Sequence, residues 1–480
     1  MIAIISHPFR VSKESVFLAW KLLGSITLIL FFRLSTYAQE NVCNCSKNFE
    51  RLIGKLETNY IAYQLIKNEI EKNYESHKFR FKTLAAETND NNCTKLLQEF
   101  LSFFHDGHLF VSEYPDFPAA DLEKTKAEIK QNMYDLNRMH PIGRSPIEGY
   151  WTDGQSKFVI VQNKNSNIPF EWVAIILETK DSTKKGEIKF AVDKSGNSWE
   201  GIYYTNAYAY RYVKITPYKE NSILSVWGGI LWGKLSGKDD SVYNPVLPTV
   251  KKIDNENVLL TIPSFLVDAK DFDKVLIENI ETLLFANNLI IDIRGNTGGN
   301  GIYFNLMRLY YEKPAVSSRG LALSSADNIT YFEKFASTRS GDPYVPVIKA
   351  MREKPGGIVA GPDFRDLGLT PEKTNIQKVV ILTDRGNMSA AETFVLYSKA
   401  VSNKVITMGD NTGGVVDFNN INMIKIGCDK HGIYFGYPTY TLHDKVIEHG
   451  YNKNGIPPDV KIDSGVPDKI AFVLEYLKQK

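Results

Sequence analysis

Four cysteines in 480 residues are too few to build a disulfide scaffold. The closely spaced pair Cys43 and Cys45 has neither a second C-x-x-C nor a matching histidine pair, so a zinc site is not expected. Excess charge is also missing: the formal net charge is +2, and Arg10, Lys13, Lys21 and Arg33 outweigh Glu14 by three charges near the N-terminus. The remainder then carries about −1, which excludes the basic surface that a nucleic-acid partner requires. Internal repeats and low-complexity tracts are absent. Beyond residue 33 no apolar run is long enough to cross a bilayer.

Hydrophobic residues make up 43% and charged residues 23%, the balance of a folded globule. The length exceeds what one ordinary core supports, so two or three domains are expected. The first segment stands apart. Arg10, Lys13 and Lys21 precede the apolar run from Leu22 to Phe32, which leads into Ser35-Thr36-Tyr37-Ala38. This is the layout of a secretory signal peptide spanning 1–38, cut after Ala38. The run is about half of the ~20 residues a spanning helix needs, so membrane contact is expected only through an uncleaved leader. The destination is the periplasm, the outer surface or the medium. Oxidation is allowed there, and Cys93 is expected to bridge either Cys43 or Cys45, with Cys428 a buried single thiol.

Three patterns follow one another along the chain. Within 39–112, Phe49, Leu52, Ile53 and Leu56, then Leu96, Leu97, Phe100, Leu101 and Phe104, recur at helical spacing. This helical module ends at Asp106-Gly107-His108, with Gly107 breaking the helix. Within 113–250, short β-rich runs such as Phe158 to Val161, Trp172 to Ile176 and Ile188 to Val192 are divided by turn-forming stretches. They predict a small antiparallel β-barrel or sandwich. Over 251–480, strands Val258 to Ile262, Leu289 to Ile293, Val379 to Leu382 and Val405 to Met408 alternate with helical patterns. That alternation predicts an α/β core on a mainly parallel sheet.

Three elements can carry chemistry. Ser389 follows a strand and a turn and opens a helix bearing Ala390, Phe394, Tyr397 and Val401 on one face. Unpaired N–H groups at a helix N-terminus stabilise an anion formed there. The same Ser389-x-x-Glu392 spacing is also a plain capping box, and a nucleophile elbow wants glycine where Asn387 stands. The second element, Asp292 to Gly301, is glycine-rich after a buried strand. Its spacing is neither a dinucleotide fingerprint nor a P-loop, which leaves an oxyanion hole or a tight turn. The third is His108, a general base if the fold brings it to Ser389 and otherwise a solvated loop histidine.

Taken in order, Phe104 to His108, Val258 to Phe265, Leu289 to Gly299, Ser389 to Glu392 and Gly455 to Asp459 resemble the tail-specific, or C-terminal processing, peptidases. The resemblance covers roughly residues 100–112 and 255–475. It implies a ClpP/crotonase-like core, Ser389 as the attacking group, and an oxyanion hole from N–H groups of Gly298 or Gly299 and of Ala390, with no cofactor. In the Ser/Lys branch a lysine stands 25 positions after the serine. Here that position is Gly414. The sequence is therefore similar to the tricorn-core-like branch, whose histidine base corresponds to His108. In that branch an acid before the Gly-Ile/Val-x-Pro-Asp motif orients the base. Asn452 occupies that place, with Glu448 four residues further back, and these are the two candidates. The carboxylate-binding loop of a PDZ domain is not found.

Two functions follow. The first is a secreted serine endopeptidase acting on peptide or protein substrates through an acyl-enzyme. The second is a catalytically weak or inactive relative in which Trp151, Trp172, Trp199, Tyr203 and Tyr204 of the β-rich part hold a ligand, although aromatics there are also ordinary core.

Overall fold

In the computed structural model, the described residues are 44–89, 92–113, 139–164, 168–204, 210–218, 221–226, 230–315, 319–336, 342–363, 368–427 and 432–479, with isolated positions between them. Residues 1–38, expected to be a leader, and Cys43 and Cys428 lie outside the described residues.

Helix α1 (Cys45–Asn59) starts where the Asn44 side chain accepts the Lys47 N–H at 2.9 Å. It buries Phe49, Leu52 and Leu56 at the spacing the sequence displays. After α2 (Ile61–Glu87), helix α3 (Cys93–Leu101) presents Leu97, Phe100 and Leu101 to the same core. A Cys45–Cys93 disulfide ties α1 to α3, which selects one of the two expected pairings. The chain then runs through a 3-10 turn, Ser102–Phe104, and is turned by His105 in the left-handed region at φ 50°. Gly107 was expected to break the helix, but His105 ends it. Gly107 matters for another reason: a Cβ there would meet the Val415 methyl carbons at 2.9 Å.

The middle of the chain is a closed antiparallel barrel of eight strands, β2 (Gly149–Thr152) through β9 (Ile230–Leu235). Closure removes the sheet edges, and alternate residues fill the interior. Phe158 and Trp232 stack inside with centroids 3.9 Å apart.

Two further sheets build the rest. One is six-stranded, in the order β10 (Thr249–Lys252), β11 (Asn257–Thr261), β12 (Asn288–Asp292), β15 (Lys378–Thr383), β16 (Val405–Gly409) and β19 (Val460–Lys461). Its pairings are parallel except for the antiparallel β10 edge. This is the mainly parallel α/β core that the alternating pattern predicts.

The second sheet is antiparallel and joins distant parts of the chain. β1 (Phe110–Glu113), which follows the His108 turn directly, pairs with β18 (Ile433–Thr441). β18 also pairs with β13 (Leu321–Leu323) and β17 (Phe418–Lys425). Phe418, Phe435 and Tyr437 share one buried core with α1 and α3. The helical module is thus packed onto the C-terminal half, and His108 is delivered to it by that packing.

Candidate active site

Ser389 sits at the C-terminal end of β15, at the start of the helix here labelled α4 (Ala390–Val401). Its backbone is at φ 55° and ψ −120°. A serine that only caps a helix takes ordinary extended angles, whereas this conformation costs a non-glycine residue about 1–3 kcal/mol. Strain of this kind at a strand-to-helix turn is the backbone of a nucleophile elbow. The capping box forms as well, with Glu392 Oε2 accepting the Ser389 N–H at 3.1 Å. Cap and elbow are therefore both present in one residue.

The turn before Ser389 is zipped to the glycine-rich loop after β12. Asp384 Oδ1 accepts the Gly295 and Gly386 N–H groups, each at 2.9 Å. Asn387 is fully buried; its Oδ1 takes the Asp384 N–H at 2.8 Å and its amide donates to the Ile293 carbonyl. Asparagine at the elbow's usual glycine position thus fastens the two loops together.

Gly298 and Gly299 have φ of 99° and 136°. A Cβ on Gly298 would lie 2.9 Å from the Ala390 nitrogen and 3.0 Å from Ser389 Cβ, so the loop passes directly against Ser389. The Gly298 N–H is bonded to Asn296 Oδ1 at 2.9 Å. Within the expected set, that bond leaves the N–H groups of Gly299 and Ala390 to receive an oxyanion, the latter as an unpaired first-turn donor.

The segment Thr412–Phe418 forms a strap over Ser389. Glu392 anchors it from below. Its Oε1 accepts from Thr412 Oγ1 and from the Gly414 N–H at 2.9 Å, and its Oε2 accepts from the Val415 N–H at 2.7 Å. Burial pushes this carboxyl up from its ordinary value, and the four donors pull it back. The Val415 carbonyl in turn accepts the Ser389 N–H at 3.1 Å. Gly414, the position of the lysine in the other branch, is left-handed at φ 78°. A Cβ there would meet the Tyr451 and Asn452 carbonyl oxygens at 2.7 Å, so no side chain fits.

His108 reaches the same strap and is 7% exposed. Its Nδ1 lies 2.6 Å from the Phe418 carbonyl oxygen. A carbonyl only accepts, so Nδ1 carries the proton, and whenever the ring is neutral its lone pair is on Nε2, the form a general base needs. Ser389 and His108 are thus both fixed to one strap, at Val415 and at Phe418.

The two candidates for orienting His108 are placed elsewhere. Glu448 lies in the short helix Val446–His449, its side chain is 72% exposed, and its ion-pair partner is His449 at 3.8 Å. Asn452 Oδ1 accepts the N–H groups of Val416 and Asp417, both at 2.9 Å. Asp417 returns the bond, accepting from the Tyr451 and Asn452 N–H groups at 2.7 Å. Asn452 therefore grips the strap, and the Phe418 carbonyl, not a carboxylate, takes the imidazole N–H. Sequence reasoning passed over Asp417, Phe418 and the second role of Glu392. A main-chain acceptor leaves no mark in residue type.

In the barrel, Trp151, Trp172 and Trp199 are buried in the central cluster, with Tyr203 partly buried against it. Tyr204 packs against a neighbouring one. These aromatics are core.

Residues 258–462 match the family model of peptidase family S41. Among solved structures, the chain is similar to a lipoprotein from Streptococcus agalactiae, at 12% identity over 91% of this chain and 97% of that one, with TM-score 0.40. A putative peptidase from Parabacteroides merdae shows 13% identity, the same coverages and TM-score 0.40. Mature CPAF complexed with lactacystin shows 12% identity over 87% of this chain and 93% of that one, with TM-score 0.44. No curated protein matches.

Proposed function

We propose that this chain, whose α/β core is that of peptidase family S41, is an exported serine endopeptidase with Ser389 as nucleophile and His108 as general base. The observation that carries the reading is the strained Ser389 backbone at the mouth of α4, pressed against Gly298. In the reaction, Ser389 Oγ attacks the scissile carbonyl carbon while its proton passes to His108 Nε2. The oxyanion is met by the Gly299 and Ala390 N–H groups. His108 then gives the proton to the leaving amine, and an acyl-enzyme remains on Ser389. Water, deprotonated by His108, attacks the ester and frees the acid, restoring Ser389 and the neutral ring. Apart from the hydrolytic water, each step uses groups this chain supplies.

The leader at 1–38 and the Cys45–Cys93 bridge support export, since such bridges persist in oxidising compartments. The test is cleavage of an unfolded protein by the chain beginning at Gln39, with Ser389→Ala as control. Fragments are expected from the native sequence alone. Equal cleavage by both, or none by either, would overturn the reading.

A further inference from the structure

A base that becomes cationic is stabilised by a nearby carboxylate, and neither predicted candidate supplies one: Asn452 is neutral and committed to the strap, and Glu448 is at the surface. A different carboxylate lies two residues before His108. We infer that Asp106 is the positioning acid of the site, holding the His108 turn and stabilising the imidazolium that forms when Ser389 gives up its proton. This rests on the peptidase reading above.

Asp106 is 7% exposed and belongs to no ion pair with lysine or arginine among the described residues. Its Oδ1 accepts the His108 N–H at 2.9 Å. Its Oδ2 accepts the Tyr60 hydroxyl at 2.8 Å. A carboxylate is costly to bury without such partners, and two donors with no cation make an incomplete set. The charge that completes it is the transient one on His108, which draws the Asp106 carboxyl down against the rise that burial causes. The titratable groups that face Asp106 are Tyr60 from the α1–α2 junction, His108 from its own turn, and Asp417 from the strap. Asp417 is a like charge, but its oxygens are turned to the Tyr451 and Asn452 N–H groups. Tyr60 is buried, and the same burial together with Asp106 keeps its phenol protonated. It therefore contributes a donor and no charge.

The balance during catalysis is simple. The proton leaves Ser389 Oγ for His108 Nε2, Asp106 stays anionic, and the pair of charges is neutral overall. When the proton moves on to the leaving group, His108 returns to its neutral form with Nδ1–H still on the Phe418 carbonyl. Asp106 touches neither substrate nor the reacting atoms, so its effect is felt only through His108.

Two variants separate this role from a tether. Asp106→Asn keeps the size and removes the charge; Tyr60→Phe keeps the charge and removes the neutral link to α1. The readout is the rate of labelling by a fluorophosphonate as a function of pH. Asp106→Asn is expected to slow labelling about tenfold or more and to move the inflection of the base about one pH unit lower, because a neutral neighbour no longer favours imidazolium. Tyr60→Phe is expected to stay within about threefold of the native rate with its inflection unmoved. An unchanged inflection in Asp106→Asn would overturn the assignment. If that variant does not fold, Tyr60→Phe decides: a loss of tenfold or more means that Asp106 is only a tether. Native protein that is not labelled at all counts against the peptidase reading instead.

Discussion

Ser389 and His108 hang on one strap, but what fixes them differs. Ser389 is held largely by structure near it in sequence, its own helix, the capping Glu392 three residues on and the Asp384–Asn387 turn behind it, which is then zipped to the glycine-rich loop. His108 is held by contacts remote in sequence, its ring on a carbonyl 310 positions away and its turn on a buried tyrosine 46 positions from Asp106. A site assembled this way tolerates damage unequally. Changes to the groups that hold Ser389 should disturb folding and chemistry together, and changes near His108 should disturb chemistry first.

The largest effect expected is from Ser389→Ala, which should lower peptide hydrolysis by about a thousandfold or more. Its thermal midpoint should stay near native, since the alanine inherits the same strained backbone. His108→Gln should lose activity on a similar scale with less than about 1 kcal/mol lost in urea unfolding, and a stability loss as large as that of a core mutant would break the comparison.

Glu392→Gln comes next and should cut both quantities. Each carboxylate oxygen receives two donors, so one amide NH2 must face N–H or O–H groups. A loss of about 1–3 kcal/mol is expected from denaturant unfolding, along with a fall in turnover. Asn452→Ala removes the acceptor for two strap N–H groups and should lower kcat about ten- to a hundredfold with KM nearly unchanged, read from steady-state kinetics. Glu448→Ala should be within about twofold of native in every assay, because its carboxylate faces solvent. A large effect there would restore it as the acid partner and remove the ground for Asp106.

The same contrast explains what was legible in the sequence. Periodicity showed the helices at Phe49 to Leu56 and Leu96 to Leu101, because each buries one stripe within a few turns. Short β-rich runs divided by turns predicted a barrel or a sandwich, of which the structure shows the barrel, and strands alternating with helical patterns predicted the mainly parallel sheet. The antiparallel sheet that pairs β1 with β18 was not legible, since its partners lie more than 300 positions apart and local pattern does not encode pairing. At the site, the order of motifs singled out Ser389, Gly298, Gly299, Ala390 and His108; the structure sets Gly298 against Ser389 and Ala390, and bonds Ser389 and His108 to one strap. The two positions expected to orient His108, Asn452 and Glu448, were chosen by counting along the chain, and the structure sets Asn452 on the strap and Glu448 at the surface. The interactions that replaced them use a carbonyl, two backbone N–H groups and a buried aspartate whose identity alone signals nothing.

The central claim is that Ser389 is an activated nucleophile that depends on His108. The most direct measurement is to treat the native chain with a fluorophosphonate and locate the added mass by peptide mapping. The adduct is expected on Ser389, and its formation should be at least about a hundredfold slower in His108→Gln. An adduct at any other residue, or equal labelling without His108, would contradict the account.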